Sequence, residues 1–341
     1  MSIRSTRKEE HLALAQKFYK NEKSNSFDQM HLVRPALPET NVNLQAISTK
    51  MFGKTVSAPF FINAMTGGSK KSFAINQALG KIAQQTHIAL ALGSASILVK
   101  EADQLDSFII ARQENPNGVL LANVNAKTSV RDAEKIIAEL QADALQVHLN
   151  VVQEIAMPEG DRDFHWLANL QELRQQITVP IIIKEVGCGL DQATIHRLKK
   201  EGITFFDIAG SGGTNFAQIE NARNPQPLAY LENIGLPTVI AAVLAANEDV
   251  DLIVSGGIRN PLDVFKGLCL GGKYVGISNT FLQVLLQDNG FENLLQLIKE
   301  WQKQLAYLMA IYGQNNLTDL PKIKRYFDLP LKAQIDQLLQ K

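Results

Sequence analysis

Short apolar runs recur along the chain, and a longer stretch with helical periodicity follows most of them. The runs lie at residues 59–64, 88–93, 119–124, 144–150, 180–186, 205–210, 251–256 and 273–278. They are almost unbroken in apolar residues. Strands buried on both faces read this way, whereas a strand with one wet face would alternate. Alternating βα units give a doubly wound sheet or a closed barrel, and eight of them favour an α/β, (β/α)8 TIM barrel. The helices between the runs carry matching punctuation. Asn260-Pro261-Leu262-Asp263 reads as an N-cap, a proline in the first turn and an early acid, and Gly271 as the stop. Ser129 opens another helix before residues 133–140. The apolar run at 236–244 has the composition of a ninth strand, and we assign it to the crossover between strands six and seven. Around the barrel (58–288) lie a polar, partly helical N-terminal arm (1–57) and a helical extension (289–341). The extension has apolar spacing through Leu294, Leu295, Leu297, Ile298, Trp301, Leu305 and Leu308. At 341 residues the whole reads as one domain.

Charge adds one restriction. Lys plus Arg and Asp plus Glu are both 34, so no global field attracts nucleic acid or an anionic membrane. An anionic ligand must be held locally. The two cysteines, Cys188 and Cys269, form no CxxC pair, which points to a reducing compartment without disulfides or a zinc site. The first residues are polar, and no apolar run reaches the ~18 residues of a membrane span. The expected location is the cytoplasm.

Barrel chemistry gathers at the C-terminal ends of the strands. Run one leads into Asn63-Ala64-Met65-Thr66-Gly67-Gly68, run two into Gly93-Ser94, and run three into Asn123 and Asn125. Run four ends in the most polar stretch, His148-Leu149-Asn150-Val151-Val152-Gln153-Glu154. Any one of these side chains could be a cap or a satisfied core group, but their concentration favours a site. Run five contains Lys184. An ammonium inside an apolar strand needs an anion, an electron-rich ring, or a carboxylate such as the neighbouring Glu185. Run six ends at Gly210-Ser211-Gly212-Gly213-Thr214, run seven at Ser255-Gly256-Gly257-Ile258-Arg259 before a capped helix, and run eight at Ser278-Asn279. Glycine-rich loops after strands seven and eight, beside helix N-termini, form a phosphate site in such barrels.

Together these motifs resemble the FMN-dependent, type 2 isopentenyl-diphosphate isomerases. The likeness also includes Arg7-Lys8-Glu9-Glu10-His11, Glu159-Gly160-Asp161-Arg162-Asp163-Phe164 and Lys184-Glu185-Val186-Gly187-Cys188-Gly189, and it spans nearly the whole chain. It implies that Ala64, Met65, Thr66, Ser94, Asn123, Lys184 and Thr214 line the FMN ring and ribityl chain. Gly256, Gly257, Arg259, Ser278 and Asn279 would hold its phosphate. Arg7, Lys8 and His11 would grip the substrate diphosphate, and Glu154 would hold Mg²⁺. Asn150 and Gln153 would sit beside the allylic carbons, oriented by His148. The resemblance further implies NADPH as reductant and a homotetramer or larger assembly. One departure stands out. Many relatives carry an arginine shortly after the Gly-Ser of strand two, where this chain has Ala95-Ser96-Ile97. The expected burden therefore falls on Arg7, Lys8 and the metal.

Three other readings compete. An FMN-dependent 2-hydroxy-acid oxidase needs a histidine base and an arginine after strand six, where this chain has neither. A dihydroorotate-type dehydrogenase needs a loop base, for which Cys188 is the candidate. A non-catalytic phosphate-binding barrel has little use for the polar end of strand four.

Overall fold

The structure is a computed structural model describing residues 3–19 and 24–339, with side chains from residue 6. All eight predicted strands form. They are β1 (Phe60–Ile62), β2 (Leu90–Leu92), β3 (Leu120–Asn125), β4 (Ala144–His148), β5 (Ile181–Lys184), β6 (Phe205–Asp207), β7 (Asp251–Ser255) and β8 (Gly272–Ile277). They run parallel in sequence order and close into a barrel when β8 pairs with β1, with Val275 opposite Phe60 and Ile277 opposite Ile62.

Successive strand residues point to opposite faces. Phe60, Ile62, Leu90, Leu92, Val124 and Val147 face outward into one large cluster with the helices. Phe61, Ala91, Leu121, Ala144, Ile182, Ile253 and Tyr274 point inward and form a separate cluster in the barrel. A hairpin that the arm's polar composition did not announce, Thr49–Met51 with Lys54–Val56, adds Met51 and Val56 to this inner cluster. At its tip Phe52 stacks edge-on with Phe205, ring centroids 5.2 Å apart. The hairpin thus plugs the N-terminal end of the barrel.

The run at 236–244 is helical (Thr238–Ala246) and lies in the crossover. It is buried almost all round, so its pattern carries no helical period that sequence could show. The predicted N-cap Asn260 accepts from the Asp263 amide, and Ser129 accepts from that of Asp132. The arm and the extension are not separate appendages. Met30–Leu32 pairs antiparallel with Arg325–Phe327, a strand inside a region expected to be helical. Helix Gly290–Ile311 buries Leu294, Ile298, Trp301 and Leu305 in the main cluster, so this face packs on the chain's own barrel. No helix among the described residues is long and apolar enough to cross a membrane.

Phe281 links barrel and extension. It is fully buried, with ring centroids 6.4 Å from Phe60 and 5.1 Å from Trp301. Phe281→Ala should lower unfolding stability by about 3–5 kcal/mol, the usual cost of emptying an aromatic core position. Denaturant unfolding of the two proteins checks this.

Candidate active site

Above the apolar inner cluster, the inward positions become polar. Asp207 lies at the centre of that layer and has no exposed surface. Its Oδ2 accepts from Asn63 Nδ2 at 2.8 Å and its Oδ1 from Ser255 Oγ at 2.5 Å. Asn63 Oδ1 in turn accepts from Gln146 Nε2 at 2.9 Å, and Gln146 Oε1 from Asn123 Nδ2 at 3.3 Å. His148 Nδ1 closes the chain on Asn123 Oδ1 at 2.9 Å. Lys184 Nζ donates to the Glu185 carbonyl at 2.7 Å and stands 3.9 Å from Asp207. The carboxylate nearest Lys184 is therefore Asp207. The Glu185 carboxylate turns away and accepts three consecutive amides, from Val186, Gly187 and Cys188.

This polar layer is the floor of a cavity of about 420 Å³ at the C-terminal end of the barrel, within the usual range for a ligand pocket. Every site residue expected from sequence lines it, from Arg7 on the arm to Asn279 after β8. One wall is bare backbone. Gly256 (φ 100°) and Gly257 (φ 73°) have left-handed conformations that favour glycine. A Cβ on Gly256 would fall 2.1 Å from the Gly210 carbonyl oxygen, and one on Gly213 would fall 2.6 Å from the Gly257 nitrogen. The loops after β6 and β7 interlock as a cradle that only glycines permit. Arg259 is already engaged there: its guanidinium bridges Asp28 at 2.6 Å and Asp263 at 2.8 Å, pinning the arm to the loop.

The opposite wall grows from the end of β4. Asn150 precedes helix Val151–Ala156, and its Nδ2 donates to Gln153 Oε1 at 3.2 Å and Glu154 Oε1 at 2.9 Å. The other Glu154 oxygen accepts the Asp161 amide at 2.8 Å. Gln153 Nε2 donates to Glu220 Oε1 at 2.9 Å, and His11 Nε2 lies 2.9 Å from the same oxygen. Glu220, on helix Phe216–Arg223, is fully buried, and the sequence reading missed it. A carboxylate inside the sequence Ile219-Glu220-Asn221-Ala222-Arg223 looks like a solvated helix face. His148, expected to orient Asn150 and Gln153, instead holds Asn123. It is their neighbour in sequence, but its ring points into the barrel, whereas Asn150 stands at the N-cap of the helix beyond the strand and Gln153 lies on that helix.

Electrostatics divides the groups. Burial, then Lys184 and Lys8, push His148 down to about 3, so it stays neutral. Burial and the neighbouring Arg7 lower Lys8 to about 8. Arg7 Nε is buried with no hydrogen-bond partner among the described residues. Two cations and a buried donor without a partner at one point make an arrangement that can hold an anion. Burial opposes ionisation of Glu220, but His11, Gln153 and Arg223 outweigh it and hold the acid at about 2. Cys188 is raised to about 12 by burial and then by Glu185, which removes it as a loop base. Ser96, in place of the absent arginine, has its hydroxyl bound to Ser94, Thr128 and the Asn125 amide.

The family model for FMN-dependent dehydrogenases matches residues 98–325, more than half of the chain. The chain is 42% identical over 322 residues to an isopentenyl-diphosphate delta-isomerase of Latilactobacillus sakei, covering 94% of this chain and 92% of that one. An isopentenyl-diphosphate delta-isomerase of Moorella thermoacetica is also 42% identical, over 314 residues, covering 91% of this chain and 90% of that one. The chain belongs to the FMN-dependent isopentenyl-diphosphate delta-isomerase family. Its fold is shared more widely. A soluble mutant of the membrane-associated (S)-mandelate dehydrogenase from Pseudomonas putida superposes with a TM-score of 0.66 at 16% identity, covering 94% of this chain and 99% of that one. A mutant flavocytochrome b2 with pyruvate bound reaches 0.69 at 18% identity, covering 95% and 84%. These structures match the barrel. The flavin itself follows from the family, and the interlocked glycines fit it, because a phosphate can approach bare amides closely.

Gly256→Ala tests the cradle. Left-handed strain costs about 1–3 kcal/mol before any clash, so FMN affinity should fall at least about tenfold. A flavin titration followed by absorbance reads this; unchanged affinity would mean that the loop is not the phosphate seat.

Proposed function

We propose that this protein interconverts isopentenyl and dimethylallyl diphosphate with reduced FMN and Mg²⁺, without net oxidation. The observation that carries the reading is the linked group Asn150–Gln153–Glu220–His11, set above the polar floor and beside Arg7 and Lys8. A hydroxy-acid oxidase site would need a base and an arginine on the loop after β6. That loop is the glycine cradle, and His148 is neutral and hydrogen-bonded in the floor.

In this reading Ala64, Met65, Thr66, Ser94, Asn123, Lys184 and Thr214 surround the flavin ring and ribityl chain. Gly256, Gly257, Ser278 and Asn279 hold its phosphate, while Arg259 braces the loop through Asp28 and Asp263. When bound, reduced FMN supplies an acid–base group and an electron-rich ring that stabilises positive charge on the substrate. Lys184 keeps positive charge at the floor, which favours an anionic ring above it. Gln153 is tied at both ends, by Asn150 and Glu220, so it fixes where the allylic carbons lie. A neutral amide is a poor proton donor, and positioning is the work it suits. Arg7, Lys8 and His11 take the diphosphate. Glu154 has one hydrogen bond on each oxygen and lone pairs to spare, which suits a Mg²⁺ shared with substrate oxygens and water. Among the described residues no cluster of three metal-binding side chains exists, so the substrate must complete that shell. The reading also takes NADPH as the reductant, the cytoplasm as the location and a homotetramer or larger assembly as the working form.

The direct test supplies FMN, Mg²⁺ and isopentenyl diphosphate without air, with and without NADPH. Dimethylallyl diphosphate should form only under reducing conditions, with no NADPH consumed per turnover. Bound, reducible flavin without product would move the assignment to an oxidoreductase. Glu154→Gln should abolish the Mg²⁺ dependence of the rate while flavin absorbance stays unchanged; full Mg²⁺-dependent activity in that variant refutes the metal assignment. Lys8 predicts the pH response. Its ammonium is charged below about 8 and loses its proton above, so the KM for the diphosphate should rise as pH passes 8. Proton uptake on substrate binding above pH 8, measured by calorimetry in two buffers, checks the sign.

A further inference from the structure

Arg223 closes helix Phe216–Arg223, and its side chain is only 14% exposed. Each of its three nitrogens meets a different carboxylate. Nε donates to Glu10 at 2.7 Å, Nη2 to Glu159 at 3.0 Å, and Nη1 to Glu220 at 2.6 Å. These carboxylates come from three segments. Glu10 lies on the N-terminal helix Ile3–Lys17, Glu159 on the loop beyond helix Val151–Ala156, and Glu220 on the helix of Arg223 itself. All three partners also adjoin groups assigned to the diphosphate, Glu220 through His11 at 2.9 Å. Glu10 directly precedes His11, and Glu159 lies 3.6 Å from Arg7. A planar guanidinium can serve three acceptors at once, whereas a lysine ammonium is a point charge that could not span them.

We propose that Arg223 is a positioning residue that couples docking of the N-terminal helix to the charge on Glu220, and thereby to the placement of Gln153. The proposal rests on reading the cavity as the diphosphate isomerase site. Three groups face Glu220: His11 from the arm, Gln153 from the helix after β4, and Arg223 from its own helix. Behind Arg223 stand Glu10 and Glu159, with Arg7 beyond Glu159. Lifting the arm would remove Glu10, Arg7 and His11 together. Glu220 would then keep Arg223 as its one charged partner. With Arg223 also gone, the carboxylate would face only the Gln153 amide, and burial would drive it to take up a proton. A protonated Glu220 accepts the Gln153 amide weakly, so the amide over the allylic carbons would lose its anchor. Docking the arm and setting the amide are thus one event, in a site where the arm also brings the diphosphate donors.

The test uses the full-length FMN-loaded protein with three variants: Arg223→Lys, Glu10→Gln and Glu159→Gln. Two readouts need no turnover. One is amide hydrogen exchange over residues 3–17. The other is the infrared carbonyl band of protonated Glu220, assigned by its loss in Glu220→Gln and followed against pH. Arg223→Lys should speed exchange of the arm about tenfold or more, since charge-assisted hydrogen bonds are lost. It should also raise the pH at which Glu220 protonates by about one unit or more. Glu10→Gln should speed arm exchange and raise the pH at which Glu220 protonates by less than Arg223→Lys does, because His11 is loosened with the arm while the Arg223–Glu220 contact survives. Glu159→Gln should do the same more weakly. Wild-type exchange and titration in Arg223→Lys would overturn the proposal. So would a faster arm with an unmoved titration, which would leave Arg223 as a simple tether. Flavin absorbance equal to wild type guards against a misfolded variant. If the wild-type protein turns over no isopentenyl diphosphate, the isomerase reading fails, and the exchange and infrared results still decide the coupling.

Discussion

A closed parallel barrel has no wet face, so every inward polar side chain must find its partner inside. That constraint organises this molecule. Below the mid-plane it is met almost without polar groups: Phe61, Leu121, Ile182 and Ile253 fill the interior, the Tyr274 hydroxyl donates to the Lys50 carbonyl, and the Thr49–Val56 hairpin closes the base. Above it, Asp207, Asn63, Ser255, Gln146, Asn123 and His148 satisfy one another across five strand ends. A buried network of this kind is rigid when complete and costly when any member is missing. The floor of the cavity therefore has one arrangement, and Lys184 beside Asp207 holds a fixed charge at a fixed height.

Two kinds of recognition are built on that floor. On the side of β6 and β7 the wall is backbone, because the loops approach too closely there for a Cβ at Gly213 or Gly256. Side chains nearby, such as Arg259, are occupied in holding the loops and the arm. On the side of β4 the wall is made of side chains, and those depend on one another. Asn150 holds Gln153 and Glu154, Glu220 holds Gln153, and Arg223 holds Glu220 together with two other segments. The β6–β7 wall is set by the shape of the barrel. The β4 wall is set by contacts between segments distant in sequence, including the N-terminal helix.

The structural neighbours show how far a shared frame reaches. At 16–18% identity they match the barrel closely, and a barrel of this form is compatible with several flavin chemistries. What separates this chain is the content of two loops. Glycines stand after β6 where an oxidase would place its base and arginine, and a polar group stands after β4. Cys188 is accounted for by its own surroundings. It sits in a turn built by three amides on Glu185, and its thiol is pushed up by burial and that carboxylate, so the residue serves the turn.

The sequence by itself determined the eight strands, their order, the helix caps at Asn260 and Ser129, and the strand ends that carry the site. These depend on local matters: continuous apolar runs, glycine where the backbone must turn, and capping side chains a few residues from the amides they accept. It also showed that Lys184 needs a partner, without showing which one. Tertiary structure decided that partner, Asp207, and turned His148 toward Asn123 and away from Asn150. It brought Glu220 against Gln153 across 67 residues of chain, and it made a helix of the run at 236–244, which is apolar on every side. The reason is the same in each case. A residue's type fixes what it can donate, accept or bury, but a buried group's partner is set by which strands and helices stand opposite it, and that is known only once the barrel has closed.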